Sequence, residues 1–201
     1  RPGRTPPRPR KRVGCLRPRG LGGFFGEVQY FMGENPNHTP ASDDGNGYSG
    51  RIGWRSGPFG IAVAAGHTDY QRTLNNGDIT SANVGASYDF KIFKVSAGYY
   101  HDKVDSLPEV TATGYALGVI VPVGFDQLKF AWSRYGTDAI GNPAARKLSL
   151  GYVYNFSRRS VAYATYSHVS NSGGSAVGLN GALTAPDRSA NGYDLGLRYS
   201  F

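Results

Sequence analysis

The feature that most constrains this chain is an alternation of apolar with small or polar residues, sustained over one segment of about ten residues after another. In Lys147–Phe156, Leu148, Leu150, Tyr152, Tyr154 and Phe156 fall on one parity, while Lys147, Ser149, Gly151, Val153 and Asn155 fall on the other. In Tyr193–Phe201, Tyr193, Leu195, Leu197, Tyr199 and Phe201 alternate with Asp194, Gly196, Arg198 and Ser200. Period 2 is strand geometry, and no stretch keeps a 3.6-residue period. The pattern predicts an all-β chain of ten strands, at about 24–32, 47–56, 59–69, 79–89, 93–103, 111–121, 126–134, 146–156, 160–169 and 191–201. The connectors alternate in length. Gly57-Pro58, Phe90 to Ile92, Pro122 to Phe125 and Ser157 to Arg159 are short, whereas 33–46, 70–78, 104–110, 135–145 and 170–190 are long and rich in turn formers. This rhythm predicts an antiparallel meander with tight turns at one end and long loops at the other.

A soluble sandwich and an outer-membrane barrel both alternate. The strands here approach the roughly 9–11 residues that a tilted membrane strand needs, and exceed the usual length of about 5–6. Long loops opposite short turns are the pattern of outer-membrane barrels. Aromatic residues also gather near strand ends. Phe90, Phe93, Phe125, Phe156 and Phe201 lie at the short-turn end, and Tyr48, Tyr70, Tyr115, Tyr135 and Tyr193 nearer the long loops. Two belts of rings are expected at the two water interfaces of a membrane. Mean hydropathy is only −0.40, as it must be if every second residue meets water in a lumen. A membrane-spanning helix needs about 18 consecutive apolar residues, and the best run, Tyr115 to Val123, is half that and contains Gly118 and Pro122.

The formal charge of +8 is located in one place. Arg1, Arg4, Arg8, Arg10, Lys11, Arg12, Arg17 and Arg19 stand in the first 23 residues with no acid, so the remainder is neutral. Residues 1–22 form a basic Arg/Pro-rich segment with almost nothing to bury, and disorder is the expectation. Its origin has three readings: sequence foreign to the body that follows, such as an out-of-frame stretch; a genuine basic tail; or a cloning scar. No nucleic-acid partner is expected for the chain. Nor does any motif there predict catalysis, a cofactor or a metal. His38, His67, His101 and His168 show no metal-ligand spacing, and Asp43-Asp44-Gly45 lacks the regular oxygen spacing of a calcium loop. Cys15, the single cysteine, has no paired base, and no G-x-S-x-G marks a nucleophile.

The segments GGFFGEVQYFMGEN, GDITSANVGASYDF, KLSLGYVYNFSRRSVAYATYSHVSNSGG and the ending NGYDLGLRYSF resemble the C-terminal part of general diffusion porins of Gram-negative bacteria, in particular the trimeric porins of beta-proteobacteria. The likeness covers about residues 22–201. It implies an outer-membrane location, a passive channel for small hydrophilic solutes and ions, and a homotrimer. It also implies that Tyr193, Leu195, Leu197, Tyr199 and Phe201 match the terminal-strand signal read by the barrel-assembly machinery. General porins close with about 16–18 strands, and this family resembles the 16-stranded kind. Ten strands counted back from Phe201 reach only Phe24. The resemblance therefore implies that this chain is an open, incomplete part of the barrel, without roughly the first six strands and the inward-folded constriction loop.

Strand parity then assigns the lumen side. With Ile52 and Trp54 outward, Arg51 and Arg55 point inward; with Val95, Ala97 and Tyr99 outward, so do Lys94 and Asp102. Leu128, Phe130 and Trp132 leave Lys129 inward. Lys147, Asp194 and Arg198 follow from the alternations above, Glu27 and Gln29 oppose Val28 and Tyr30, and Asp89 opposes Tyr88 and Phe90. Six basic residues then line the pore against four acidic ones, and a basic pore favours anions. The readings weighed against this channel are a non-functional truncated or frameshifted fragment, an outer-membrane barrel enzyme, and a soluble β-barrel binding an apolar ligand.

Overall fold

In the computed structural model, residues 22–33, 43–74, 76–157 and 159–200 are described. The segment 1–21, His38, Cys15 and Phe201 lie outside them, so the expectations placed there have no structural counterpart. The described residues form ten strands: β1 (Phe24–Phe31), β2 (Gly47–Ser56), β3 (Phe59–Thr68), β4 (Ile79–Asp89), β5 (Lys94–Val104), β6 (Val110–Val123), β7 (Asp126–Thr137), β8 (Ala144–Asn155), β9 (Ser160–Ser172) and β10 (Ala190–Tyr199). They make one antiparallel sheet in sequence order, β1 to β10. β1 pairs with β2 alone and β10 with β9 alone, so the sheet is open at both edges.

The strands follow from parity and the turns from glycine. Gly57 and Gly124 take the first loop position of two-residue hairpins, with φ of 52° and 61°. A left-handed glycine there gives the turn whose twist matches the flanking strands. At the 90–93 turn the Asp89 carboxylate accepts the Lys91 N–H at 2.8 Å. At the 156–159 turn the Ser157 hydroxyl accepts the N–H groups of Arg159 and Ser160, both at 3.1 Å.

Several strands run further than the alternation predicts. β7 extends to Thr137 and β8 starts at Ala144, closed by Thr137 N–H donating to Pro143 O and Asp138 N–H to Thr111 O. β9 reaches Ser172, and β6 keeps Pro122 and Val123, placed in a turn by the sequence reading. Pro122 is tolerated because β5 has ended there: the last β5–β6 partners are Lys94 and Ile120. A proline with no ladder partner on its N–H side leaves no hydrogen bond unmade.

No conventional core exists among the described residues. Ala112, Val161 and Val169 are its only buried apolar side chains. Large apolar residues crowd one face instead and are exposed, from Val28 and Ile52 to Leu148, Leu150 and Leu197.

Candidate functional site

Directly opposite residues of an antiparallel pair share a face, so the register sorts every side chain. Glu27 opposes Arg51, Arg51 opposes Ala64, and the row continues through Asn83, Tyr100, Gly114, Tyr135 and Ala145. Extending this row by steps of two places Arg55, Asp89, Lys94, Asp102, Lys129, Lys147, Asp194 and Arg198 on the same face as Glu27 and Arg51. That face is concave. A single hollow of about 570 Å³ is lined by Ser96 from β5 and Arg198 from β10, which requires the sheet to curl until those strands look into one space. Lys129 and Arg198 are the charged residues of that lining, and no acid joins them. The opposite, convex face carries Val28, Ile52, Trp54, Val63, Val84, Leu117, Phe130, Trp132, Leu148, Leu150 and Leu195. Its charged strand residues, Lys103, Asp126, Arg134 and Arg146, stand near strand ends.

The acids on the concave face are more engaged than the bases. Arg51 donates to Glu27 at 2.7 Å, an ion pair. Tyr135 donates its hydroxyl to Asp102 at 2.6 Å, and Asp89 caps the turn. Among the described residues, Arg55, Lys94, Lys129, Lys147 and Arg198 make no ion pair. Their charge stays available to solvent.

Tyr135 is a correction. The sequence reading set it in the outer aromatic belt, but its register partner is Gly114 and its side chain meets Asp102, both on the concave face. The parity of Trp132 in the same strand carried the signal. The belts themselves form on the convex side: Phe24 lies 6.3 Å from Trp54 and Tyr88 4.5 Å from Phe90 toward the short turns, while Tyr99–Tyr115 and Tyr166–Tyr193 pairs, each 5.2 Å apart, lie further along the strands. Tyr70 stands in a loop. Tyr193, Leu195, Leu197 and Tyr199 project from the convex face of β10 and are 63–82% exposed.

Three arrangements had no signal in the sequence. Aromatic rings lie over cross-strand glycines on the concave wall: Phe25 over Gly53, Phe31 over Gly47, Tyr135 over Gly114 and Tyr163 over Gly196. Each glycine leaves the space a ring fills, a known device for closing gaps in sheets. The second is Asn171, which organises the 173–189 loop: it donates to Val177 O and Arg188 O and accepts from Ser175 and Val177 N–H, at 2.7–3.0 Å. The fold also gathers His67, Asp69 and Asp78 within 4.8 Å. His67 contacts Thr80 Oγ1 at 2.9 Å and Asp69 at 3.3 Å, and Asp78 accepts the Tyr70 N–H. Linear spacing could not predict this trio, because a loop separates Asp78 from the other two.

An open meander with an apolar convex face and a polar, charged concave one is a membrane-barrel wall. A family profile described as Gram-negative porin matches residues 5–175. The chain belongs to the Gram-negative porin family, and its location is the outer membrane. The matched span begins inside the basic segment and ends before β10. The chain is 28% identical over 193 residues to outer membrane porin protein 32 of Delftia acidovorans, covering 90% of this chain and 54% of that protein. It thus spans about half the length of the curated relative. Its fold matches the anion-selective porin from Comamonas acidovorans with a TM-score of 0.82 and 24% identity, over 93% of this chain and 58% of that one. It also matches the outer membrane protein OmpT of Vibrio cholerae, with a TM-score of 0.66 and 15% identity over 94% and 62% of the two chains.

Proposed function

We propose that this chain is part of a passive diffusion channel admitting small hydrophilic solutes and ions, with a weak preference for anions. The observation that carries the reading is the inverted polarity of the sheet: apolar side chains on the convex face, charged ones on the concave face. The pore wall comprises Arg51, Arg55, Lys94, Lys129, Lys147 and Arg198 with Glu27, Asp89, Asp102 and Asp194. The bases outnumber the acids and are less paired, and an excess of fixed positive charge in a narrow aqueous path favours anions. The similarity to the anion-selective porin from Comamonas acidovorans supports the same sign. The edges of β1 and β10 pair with further strands of a closed barrel, because unpaired backbone groups cost several kcal/mol each in lipid. The complete barrel assembles as a homotrimer, a reading supported by the trimer form of the structurally similar OmpT of Vibrio cholerae. Tyr193, Leu195, Leu197, Tyr199 and Phe201 serve as the signal for the barrel-assembly machinery. The test is the zero-current potential of the closed barrel across a KCl gradient. An anion-selective sign is expected, and a cation-selective sign refutes the reading.

A further inference from the structure

Arg134 on β7 and Arg146 on β8 are direct cross-strand partners. Both belong to the convex face and both are exposed. Like charges placed directly opposite destabilise a sheet. Among the described residues, neither guanidinium has a carboxylate within ion-pair distance. The nearby Asp138 accepts the Thr111 N–H at 2.6 Å.

Their height on the wall is informative. The register row that passes through them runs Ile52, Val63, Val84, Tyr99, Tyr115, Arg134, Arg146 and Ser170. Strands of a barrel tilt against its axis, so such a row climbs from strand to strand. Here it climbs from aliphatic residues through an aromatic pair to two arginines. One step toward the short turns on the same face, Trp132 opposes Leu148. The arginines therefore sit just above the apolar band on the long-loop side, the outer face of such barrels. A hollow of about 540 Å³ opens beside Arg134, lined also by Thr111, Thr113, Tyr115, Asp138 and Asn142.

We propose that Arg134 and Arg146 form a binding site for the phosphate of an outer-leaflet lipid, whose acyl chains lie on the Trp132–Leu148 band below. Two planar guanidinium forks suit phosphate oxygens. The bound anion also relieves the repulsion between them, and the Thr111 and Thr113 hydroxyls supply further donors. The site goes beyond the channel reading and needs only the membrane location. It lies on two paired interior strands, flanked by β6 and β9, so neither arginine stands on an open edge.

The test titrates the full 201-residue chain carrying W54F, in neutral detergent micelles, with short-chain phosphatidic acid and follows the fluorescence of Trp132, the remaining tryptophan. Saturable binding is expected, weakened in R134Q/R146Q by roughly thirtyfold, the combined worth of two arginines at an anionic lipid surface. A K91Q/R159Q variant, which removes the same charge from the short-turn end, should bind as the parent does. Short-chain phosphatidylcholine and inorganic phosphate at equal concentration should not saturate the site. Equal binding by parent and R134Q/R146Q, equal loss in K91Q/R159Q, or saturation by inorganic phosphate alone overturns the proposal. Because R134Q/R146Q removes a repulsion, its urea midpoint should not fall. Should it fall, the single variants R134Q and R146Q decide the question by the same criterion.

Discussion

Reversing two charges on the concave wall should invert the selectivity of the closed barrel. Lys129 and Arg198 line one hollow of about 570 Å³, and no acid shares it. In K129E/R198E the wall changes from six bases and four acids to four bases and six acids. A unit charge about 5 Å from a passing ion in water is worth about 0.8 kcal/mol. Screening at 0.1 M salt, with a Debye length of about 10 Å, lowers this to about 0.5 kcal/mol. Reversing one charge therefore swings the energy of an anion by about 1 kcal/mol, roughly a fivefold change in its local occupancy. With both residues on the same hollow the swing is larger than the bias left by the other eight. The assay is zero-current potential across a tenfold KCl gradient, where perfect selectivity gives about 59 mV, from about 1.36 kcal/mol per decade and 2.3 kcal/mol per 100 mV. The parent should lie on the anion side of zero and K129E/R198E on the cation side. The same reversal at the turn residues, K91E/R159E, should leave the sign alone. A K129E/R198E barrel that stays anion-selective would show that the wall charges do not set the preference.

Three further outcomes follow from the packing. A Cβ at Gly53 would enter the Phe25 ring and stand 2.8 Å from Ile61 O, so G53A should lose about 1–3 kcal/mol by overpacking, read as a lower urea midpoint in micelles; an unchanged midpoint speaks against the ring-over-glycine packing. N171A removes four loop hydrogen bonds, each worth about 1 kcal/mol net, and should speed proteolytic cleavage within 173–189 without loss of strand signal; a cleavage rate equal to the parent's contradicts that role. The 201-residue chain alone in a planar bilayer should give no discrete conductance steps, because both sheet edges are open and each unpaired group costs several kcal/mol in lipid; regular steps would mean that the edges close.

The strands were legible because period 2 is a property of each segment by itself. Leu148, Leu150, Tyr152 and Tyr154 need no partner to declare a face, and Gly57 and Gly124 declare their turns in the same local way. The strand ends were not legible. β7 and β8 are carried past Arg134 and Arg146 by backbone bonds between Thr137, Pro143, Asp138 and Thr111, and such bonds leave no mark on side-chain identity. Tyr135 shows two local signals in conflict. Its position near a loop suggests an interface ring, whereas its parity with Trp132 puts it inside. The structure follows parity, since a strand cannot turn one side chain over without a bulge.

What remained hidden depends on register across long connections. Glu27 and Arg51, and Arg134 and Arg146, meet only because the meander sets their strands in one alignment. A one-residue slip would move each set to the other face. Parity alone therefore yields the sign of the concave wall but not its weight. Counting six bases against four acids treats every charge as equal, yet Glu27 and Arg51 hold each other in an ion pair, while Lys129 and Arg198 stand together over an open hollow. An ion crossing the pore meets a charge already answered by its neighbour as a dipole, whose field decays faster than that of a lone cation. The unpaired lysines and arginines thus exert more of the selectivity than their share of the count.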